Sequence, residues 1–165
     1  MAQVMLGGNP VQTNGELPKV GSVCPSILLI KNDFSELTLK DLRGKKVILN
    51  IFPGIDTSIC SKSVMYFNTK ASDKPNTVIL CVSADLPQTQ KRYCASEKIE
   101  NVMTVSTFRD PNALDRLGIR LITGKLTDLP ARSIIVLDEE GKVIYTELVS
   151  EIANEPNYES ALSVV

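Results

Sequence analysis

One cysteine near the start of a predicted helix is the residue of this chain best placed for chemistry. Cys60 ends a loop that begins at Pro53, and the helical pattern begins at Ser58. Asp56, Thr57 and Ser58 are residue types that cap helix N-termini, where free N–H groups and the positive end of the helix dipole favour an anion. The thiolate is the nucleophilic form of cysteine. The sequence therefore predicts a reactive Cys60, delivered by a loop that Pro53 stiffens.

The composition excludes several common catalytic sites. The chain has no histidine, so no Cys–His or Ser–His pair can form within it, and zinc sites that use histidine are excluded. No two of the four cysteines have the C-x-x-C spacing of zinc ribbons and dithiol oxidoreductases. We therefore expect neither a metal nor a bound cofactor. The cysteines are Cys24, Cys60, Cys81 and Cys94.

Several of the candidate residues also have a purely structural interpretation. Cys81 lies inside the apolar run 78–82 and is expected to be a small buried hydrophobe, while Cys24 lies in a loop without an evident role. Thr57 alone would serve as a helix cap, and Arg132, at the start of a strand, as one half of a surface ion pair. Cys94 alone is compatible with an ordinary helix-face residue. The residue pattern by itself leaves these alternatives open.

The length, the composition and the net charge are those of an ordinary globular protein. The chain has 165 residues, 43% of them apolar and 22% charged, with a formal net charge of -1. We expect one domain spanning residues 1–165. The absence of a basic cluster argues against binding to nucleic acid or to an anionic membrane surface. No apolar run is long enough to cross a bilayer and the N-terminus does not read as a signal peptide, so we expect a cytoplasmic protein.

The order of predicted elements indicates an α/β protein. A β-hairpin is followed by alternating strands and helices, then by a second hairpin and a final helix, an order that predicts a thioredoxin-like fold: a mixed central sheet flanked by helices, with an added N-terminal β-hairpin. Asp85 is a plausible cap for the second helix. The predicted strands or hairpins are 3–13, 26–30, 46–52, 77–82, 102–106 and 132–148, and the predicted helices are 58–71, 87–98, 112–117 and 157–165.

The loop before Cys60 resembles the active-site signature of the peroxiredoxins, Pro-x-x-x-Thr/Ser-x-x-Cys, with Pro53, Thr57 and Cys60 in the matching positions. The surrounding residues resemble the bacterial thiol peroxidases, an atypical two-cysteine subfamily of the peroxiredoxins that carries an N-terminal hairpin. The resemblance extends over almost the whole chain. Its further matching segments are 82–87, 92–94, 106–109 and 131–132.

The resemblance implies a thioredoxin-dependent thiol peroxidase that acts on hydrogen peroxide and organic hydroperoxides. Cys60 matches the cysteine that attacks peroxide and becomes a sulfenic acid, and Cys94 matches the cysteine that resolves it as an intramolecular disulfide. Thr57 matches the hydroxyl that hydrogen-bonds the thiolate and the peroxide, and Pro53 matches the proline that shields the site. Arg132 matches the guanidinium that holds both anion and substrate. The resemblance also implies a homodimer, with thioredoxin as reductant.

Two other functions compete with the peroxidase. A dithiol–disulfide oxidoreductase is disfavoured because Thr57 stands where the first cysteine of C-x-x-C would be. A peroxide-sensing redox adaptor, which passes oxidation to a partner protein, remains open because the same Cys60 would serve it. For the peroxidase, the predominantly polar helix at 87–98 is expected to be lightly anchored and to melt locally when Cys94 meets Cys60.

Overall fold

The computed structural model describes residues 1–165 and contains nine strands and four α-helices. The strands are β1 (Gln3–Leu6), β2 (Asn9–Gln12), β3 (Leu28–Ile30), β4 (Glu36–Thr38), β5 (Lys46–Ile51), β6 (Thr77–Ser83), β7 (Met103–Ser106), β8 (Ser133–Leu137) and β9 (Val143–Leu148). The helices are α1 (Ser58–Lys70), α2 (Pro87–Glu97), α3 (Ala113–Arg116) and α4 (Tyr158–Leu162).

Seven strands form one mixed sheet in the order β4-β3-β7-β6-β5-β8-β9. The pairs β5–β6 and β6–β7 are parallel, whereas β5–β8 and β8–β9 are antiparallel. The parallel strands at the centre are almost continuously apolar because both of their faces are covered. The mixed sheet predicted from the sequence is confirmed.

The helices that carry the two candidate cysteines pack on the same face of the sheet. Phe67 of α1 packs with α4 against β5 and β6 residues such as Ile48 and Ile79. Tyr93 and Cys94 of α2 pack against the cluster that contains Cys60. The short helix α3 packs on the opposite face. α1 and α2 are therefore neighbours on this face.

The N-terminal hairpin β1–β2 is also confirmed, and it is fastened to the loop after β9. Val4 and Val11 bury their side chains against Ile152 and Ala131. The Met5 N–H donates to the Ser150 carbonyl at 2.7 Å, and the Ile152 N–H donates to the Met5 carbonyl at 2.8 Å. The hairpin consequently holds the segment that follows β9 through both backbone groups of Met5.

Three local features differ from the sequence predictions. The short strand β4 was not predicted, because three residues are too few to show an alternating pattern. The last helix is only Tyr158–Leu162 rather than 157–165. Asp85 does not cap α2: Leu86 occupies the N-cap position without a side-chain bond, and Pro87 pre-sets the first turn.

Candidate active site

Cys60 lies in the first turn of α1 and is completely buried. Thr57 is the N-cap residue, and its hydroxyl accepts a hydrogen bond from the Cys60 N–H at 3.4 Å. The same hydroxyl donates to the Gly54 carbonyl at 3.2 Å. Thr57 therefore fixes the backbone of Cys60 and of the preceding loop, and in this state its hydroxyl engages the amide of Cys60 rather than the sulfur.

The guanidinium of Arg132 lies beside the sulfur. Its Nη2 donates to Cys60 Sγ at 3.4 Å, and its Nε donates to the Ile152 carbonyl at 2.7 Å. Arg132 is only 3% exposed, and Nη1 is buried without a hydrogen-bond partner. The structure therefore places Arg132 in the interior next to Cys60, and the surface ion pair that the sequence left open is excluded.

Arg132 has no carboxylate counter-ion. The five ion pairs of the molecule all involve other cations. A buried charge without a partner is costly, so its remaining contacts matter. The Cys60 sulfur is one of the groups that this guanidinium contacts. The N-terminus of α1, with the positive end of the helix dipole, lies at the same cysteine.

A cavity of about 370 Å³ lies beside this site, and Cys60 itself is buried behind its wall. Thr57, Arg132 and the buried Pro53 are among its lining residues, so three of the predicted site residues meet there. Most of its remaining wall is apolar and comes from the N-terminal hairpin, from the first turn of α1 and from the loops around residues 125–129 and 152–153. Its large aliphatic residues are Leu6, Ile59, Leu126, Leu129 and Ile152.

Sequence reasoning missed a residue that holds the active-site loop. The Asp85 carboxylate accepts hydrogen bonds from the Ile55 N–H at 2.7 Å and from the Ser83 hydroxyl at 2.6 Å. Gln90 of α2 donates to the same Ser83 hydroxyl at 3.0 Å. Gln90 is completely buried, although its residue type predicted a solvent-facing position. Only the parallel strand order, which brings the end of β6 beside the loop after β5, reveals this network.

Cys94 is half-buried on α2 and does not reach Cys60. Its sulfur lies 3.2 Å from the hydroxyl of Thr104 on β7, whereas the sulfur of Cys60 contacts Arg132, just before β8. Strands β6 and β5 separate β7 from β8, and each strand adds about 4.8 Å. All four cysteines are free thiols in this state. The site shown is thus the reduced one, with the two candidate cysteines held by different parts of the sheet.

The other two cysteines lie in environments that suppress their reactivity. Burial raises the pKa of Cys81 to about 12, and burial raises the pKa of Cys24 to about 11. Both thiols stay protonated near neutral pH and are inert as nucleophiles. The structural interpretation of Cys81 agrees with its place in the sheet, where it pairs with Asn50 and Thr104.

Sequence comparison decides the family. The family model described as Redoxin matches residues 19–162. A thiol peroxidase of Mycobacterium bovis is 48% identical over 165 residues, which cover 100% of this chain and 99% of that protein. The chain belongs to the thiol peroxidases of the redoxin family.

Solved redoxin-type structures confirm the thioredoxin-like fold. A peroxiredoxin-like protein from Aquifex aeolicus is 33% identical and superposes with a TM-score of 0.94, covering 99% of this chain and 95% of that one. A thiol peroxidase from Chromobacterium violaceum shares the fold with a TM-score of 0.88 at 16% identity, over 98% of this chain and 94% of that one.

No helix of this redoxin combines the length and the apolar composition of a bilayer-spanning segment.

Proposed function

We propose that this redoxin is a thiol peroxidase that reduces hydrogen peroxide and organic hydroperoxides with Cys60 as the attacking nucleophile. The observation that carries the proposal is the buried guanidinium of Arg132, which has no carboxylate partner and contacts Cys60 Sγ at 3.4 Å. Family membership supports the same activity, since the similar protein from Mycobacterium bovis is described as a thiol peroxidase.

In the first step the Cys60 thiolate attacks the terminal oxygen of the hydroperoxide. The S–O bond forms as the O–O bond breaks, so Cys60 becomes a sulfenic acid and the peroxide is reduced. The departing alkoxide or hydroxide takes a proton from water. The unpartnered Nη1 of Arg132 is a donor available to the oxygen on which this charge develops, and preorganised donors of this kind stabilise such transition states. Pro53 restricts access of water, and Thr57 orients the first turn of α1.

In the second step the thiol of Cys94 attacks the sulfenic sulfur of Cys60. A disulfide forms, and the thiol hydrogen leaves with the sulfenic hydroxyl as water. A dithiol reductant, thioredoxin, then returns both residues to thiols. The present separation of the sulfurs means that α2 must move first. The predominantly apolar lining of the cavity suits the carbon chain of an organic hydroperoxide.

Steady-state turnover with thioredoxin, its reductase and NADPH tests the proposal. We expect sustained peroxide consumption by the wild type, none by Cys60→Ser, and a loss of thioredoxin-driven recycling in Cys94→Ser. Cys24→Ser is the matched control, since it removes a cysteine outside the site and should retain activity. A redox adaptor would instead consume one equivalent of peroxide and stall, and full activity of Cys60→Ser would refute the proposal outright.

We also propose, from the resemblance, that the protein works as a homodimer in the cytoplasm. Free cysteines are compatible with a reducing compartment. Sedimentation at micromolar concentration tests the dimer, which should have twice the chain mass of 18.0 kDa. Cell fractionation tests the compartment.

A further inference from the structure

The thiol of Cys94 takes part in a closed ring of three hydrogen bonds. Its sulfur lies 3.2 Å from Thr104 Oγ1, Thr104 Oγ1 donates to Asn32 Oδ1 at 3.1 Å, and Asn32 Nδ2 donates back to Cys94 Sγ at 3.9 Å. The threonine hydroxyl has one hydrogen, and Asn32 receives it. The hydrogen between the sulfur and Thr104 must therefore come from the thiol. The ring is complete only while Cys94 is protonated.

The ring connects α2 to two strands of the sheet. Thr104 lies on β7 and is 1% exposed, whereas Asn32 follows β3 and is half-buried. Asn32, Thr104 and Cys94 together line a shallow depression of about 270 Å³. Opening the ring would thus release the helix from the sheet on the side facing β3 and β7, and would expose the Cys94 thiol to water.

Few other contacts hold the C-terminal half of α2, which carries Cys94. Only Pro87 and Gln90 are buried in the helix, and both lie in its first half. Gln90 is bonded to Ser83 and to the Val105 carbonyl, which fastens that half to the sheet. Beyond Gln90 the side-chain anchors are the ring, the packing of Tyr93 and Cys94 against the apolar cluster around Cys60, and the hydroxyl of Tyr93, which contacts Ser61 at 2.8 Å. Breaking the hydrogen bonds of the ring is therefore a substantial part of the free energy needed to move Cys94.

We propose that Asn32 and Thr104 are positioning residues that hold Cys94 as a neutral thiol against the sheet and so set the rate of disulfide formation. The inference rests on the proposed function, in which Cys94 resolves the sulfenic acid of Cys60 with loss of water. The ring slows that step because it must open before the sulfurs meet. The delay leaves the sulfenic acid exposed to a second peroxide, which would add another oxygen and give the sulfinic acid.

Thr104→Val tests the inference because it keeps the shape of the side chain and removes the hydroxyl. Quench-flow mass spectrometry would separate the rate of Cys60 oxidation from the rate of disulfide formation. We expect oxidation to be unchanged and disulfide formation to be about fivefold faster, the Boltzmann factor of one neutral hydrogen bond. The peroxide concentration that converts half of Cys60 to sulfinic acid should rise by a similar factor. Thr104→Ser, which retains the hydroxyl, should restore wild-type values.

Thr13→Val is the control for a general loss of stability. Thr13 is also completely buried, but it bonds the Ala2 and Gly15 carbonyls in the N-terminal segment, away from α2. Disulfide formation in Thr104→Val at or below the wild-type rate would overturn the inference, as would equal acceleration in Thr13→Val. Should Thr104→Val fail to fold, Asn32→Ala opens the ring from its half-buried side and must show the same acceleration. A wild type that forms no Cys60–Cys94 disulfide would instead refute the second step of the proposed function.

Discussion

At the residue scale, Arg132 is the buried cation that contacts Cys60 in a chain without histidine. Its side chain is divided between two partners, with Nε on the Ile152 carbonyl and Nη2 on Cys60 Sγ. Arginine suits this task because its planar guanidinium is permanently charged and presents several donors at fixed angles. The sequence alone predicted Cys60 from its helix context but left Arg132 open, because nothing in the chain indicates which arginine the fold buries.

Arg132→Lys tests whether a guanidinium is needed to contact the Ile152 carbonyl and Cys60 Sγ at the same time. The ammonium keeps the charge but cannot reproduce the planar arrangement of Nε and Nη2, so the charge-assisted bond to the sulfur should weaken. We expect the second-order rate constant for oxidation of Cys60 to fall roughly 10- to 100-fold, the range for loss of a hydrogen bond to a charged group. Single-turnover kinetics with hydrogen peroxide measures it. Arg109→Lys is the matched control, since that arginine is 43% exposed at the surface, and an equal loss there would contradict the account.

The N-terminal hairpin has a clear task at the scale of elements. Its Met5 bonds the Ser150 carbonyl and the Ile152 N–H, and the carbonyl of the same Ile152 accepts the hydrogen bond from Arg132 Nε. Leu6 of the hairpin also lines the cavity. The turn signal at Gly7–Gly8 made the hairpin predictable, but its docking was not, because the contacts span more than 140 residues of sequence. The bond between Asp85 and the loop before Cys60 was not predictable for a different reason: its two groups meet only because β5 and β6 pair in parallel.

Glu151 makes the docking of the hairpin dependent on pH. Its carboxylate accepts hydrogen bonds from the N–H groups of Gly7, Gly8 and Ala153, and these donors hold the pKa of Glu151 below its usual value of 4.5. A carboxyl whose pKa is lower in the folded state stabilises the fold above the unfolded-state value and loses that effect as the pH falls through the folded-state value. The wild type should therefore lose stability on acidification in part through this residue.

Glu151→Gln should reduce the melting temperature at neutral pH and converge on the wild type as the pH falls through the lowered folded-state pKa of Glu151. Thermal unfolding followed by circular dichroism across this pH range measures the difference. The exposed Glu139→Gln variant changes charge equally and should show no such convergence. A constant difference between Glu151→Gln and the wild type at every pH would show that the ionised carboxylate is not what docks the hairpin.

At the scale of the whole molecule, the buried apolar side chains form four clusters, and these clusters are connected through shared strands and loops. Residues of β5, β6 and β8 occur in the clusters on both faces of the sheet, and Leu121, Ala131 and Ile152 join the hairpin to the remainder. We propose on this basis that residues 1–165 form one domain. The alternation of strands and helices made the sheet predictable, whereas the shortness of β4 and α4 reflects pairing and packing that only the assembled molecule supplies.

One domain predicts one unfolding transition. Urea unfolding followed by circular dichroism and by tyrosine fluorescence should give coincident curves, because loss of the sheet removes the packing of every cluster at once. Melting of the hairpin or of residues 1–12 before the sheet would split the curves and contradict the proposal.

Mass spectrometry of the protein after one equivalent of hydrogen peroxide tests the central claim most directly. In Cys94→Ser, we predict one added oxygen atom located on Cys60, and in the wild type a disulfide between Cys60 and Cys94. Cys24 and Cys81 should remain unmodified thiols, since burial raises the pKa of each. An oxygen on any cysteine other than Cys60, or no oxidation at all at this stoichiometry, would contradict the account.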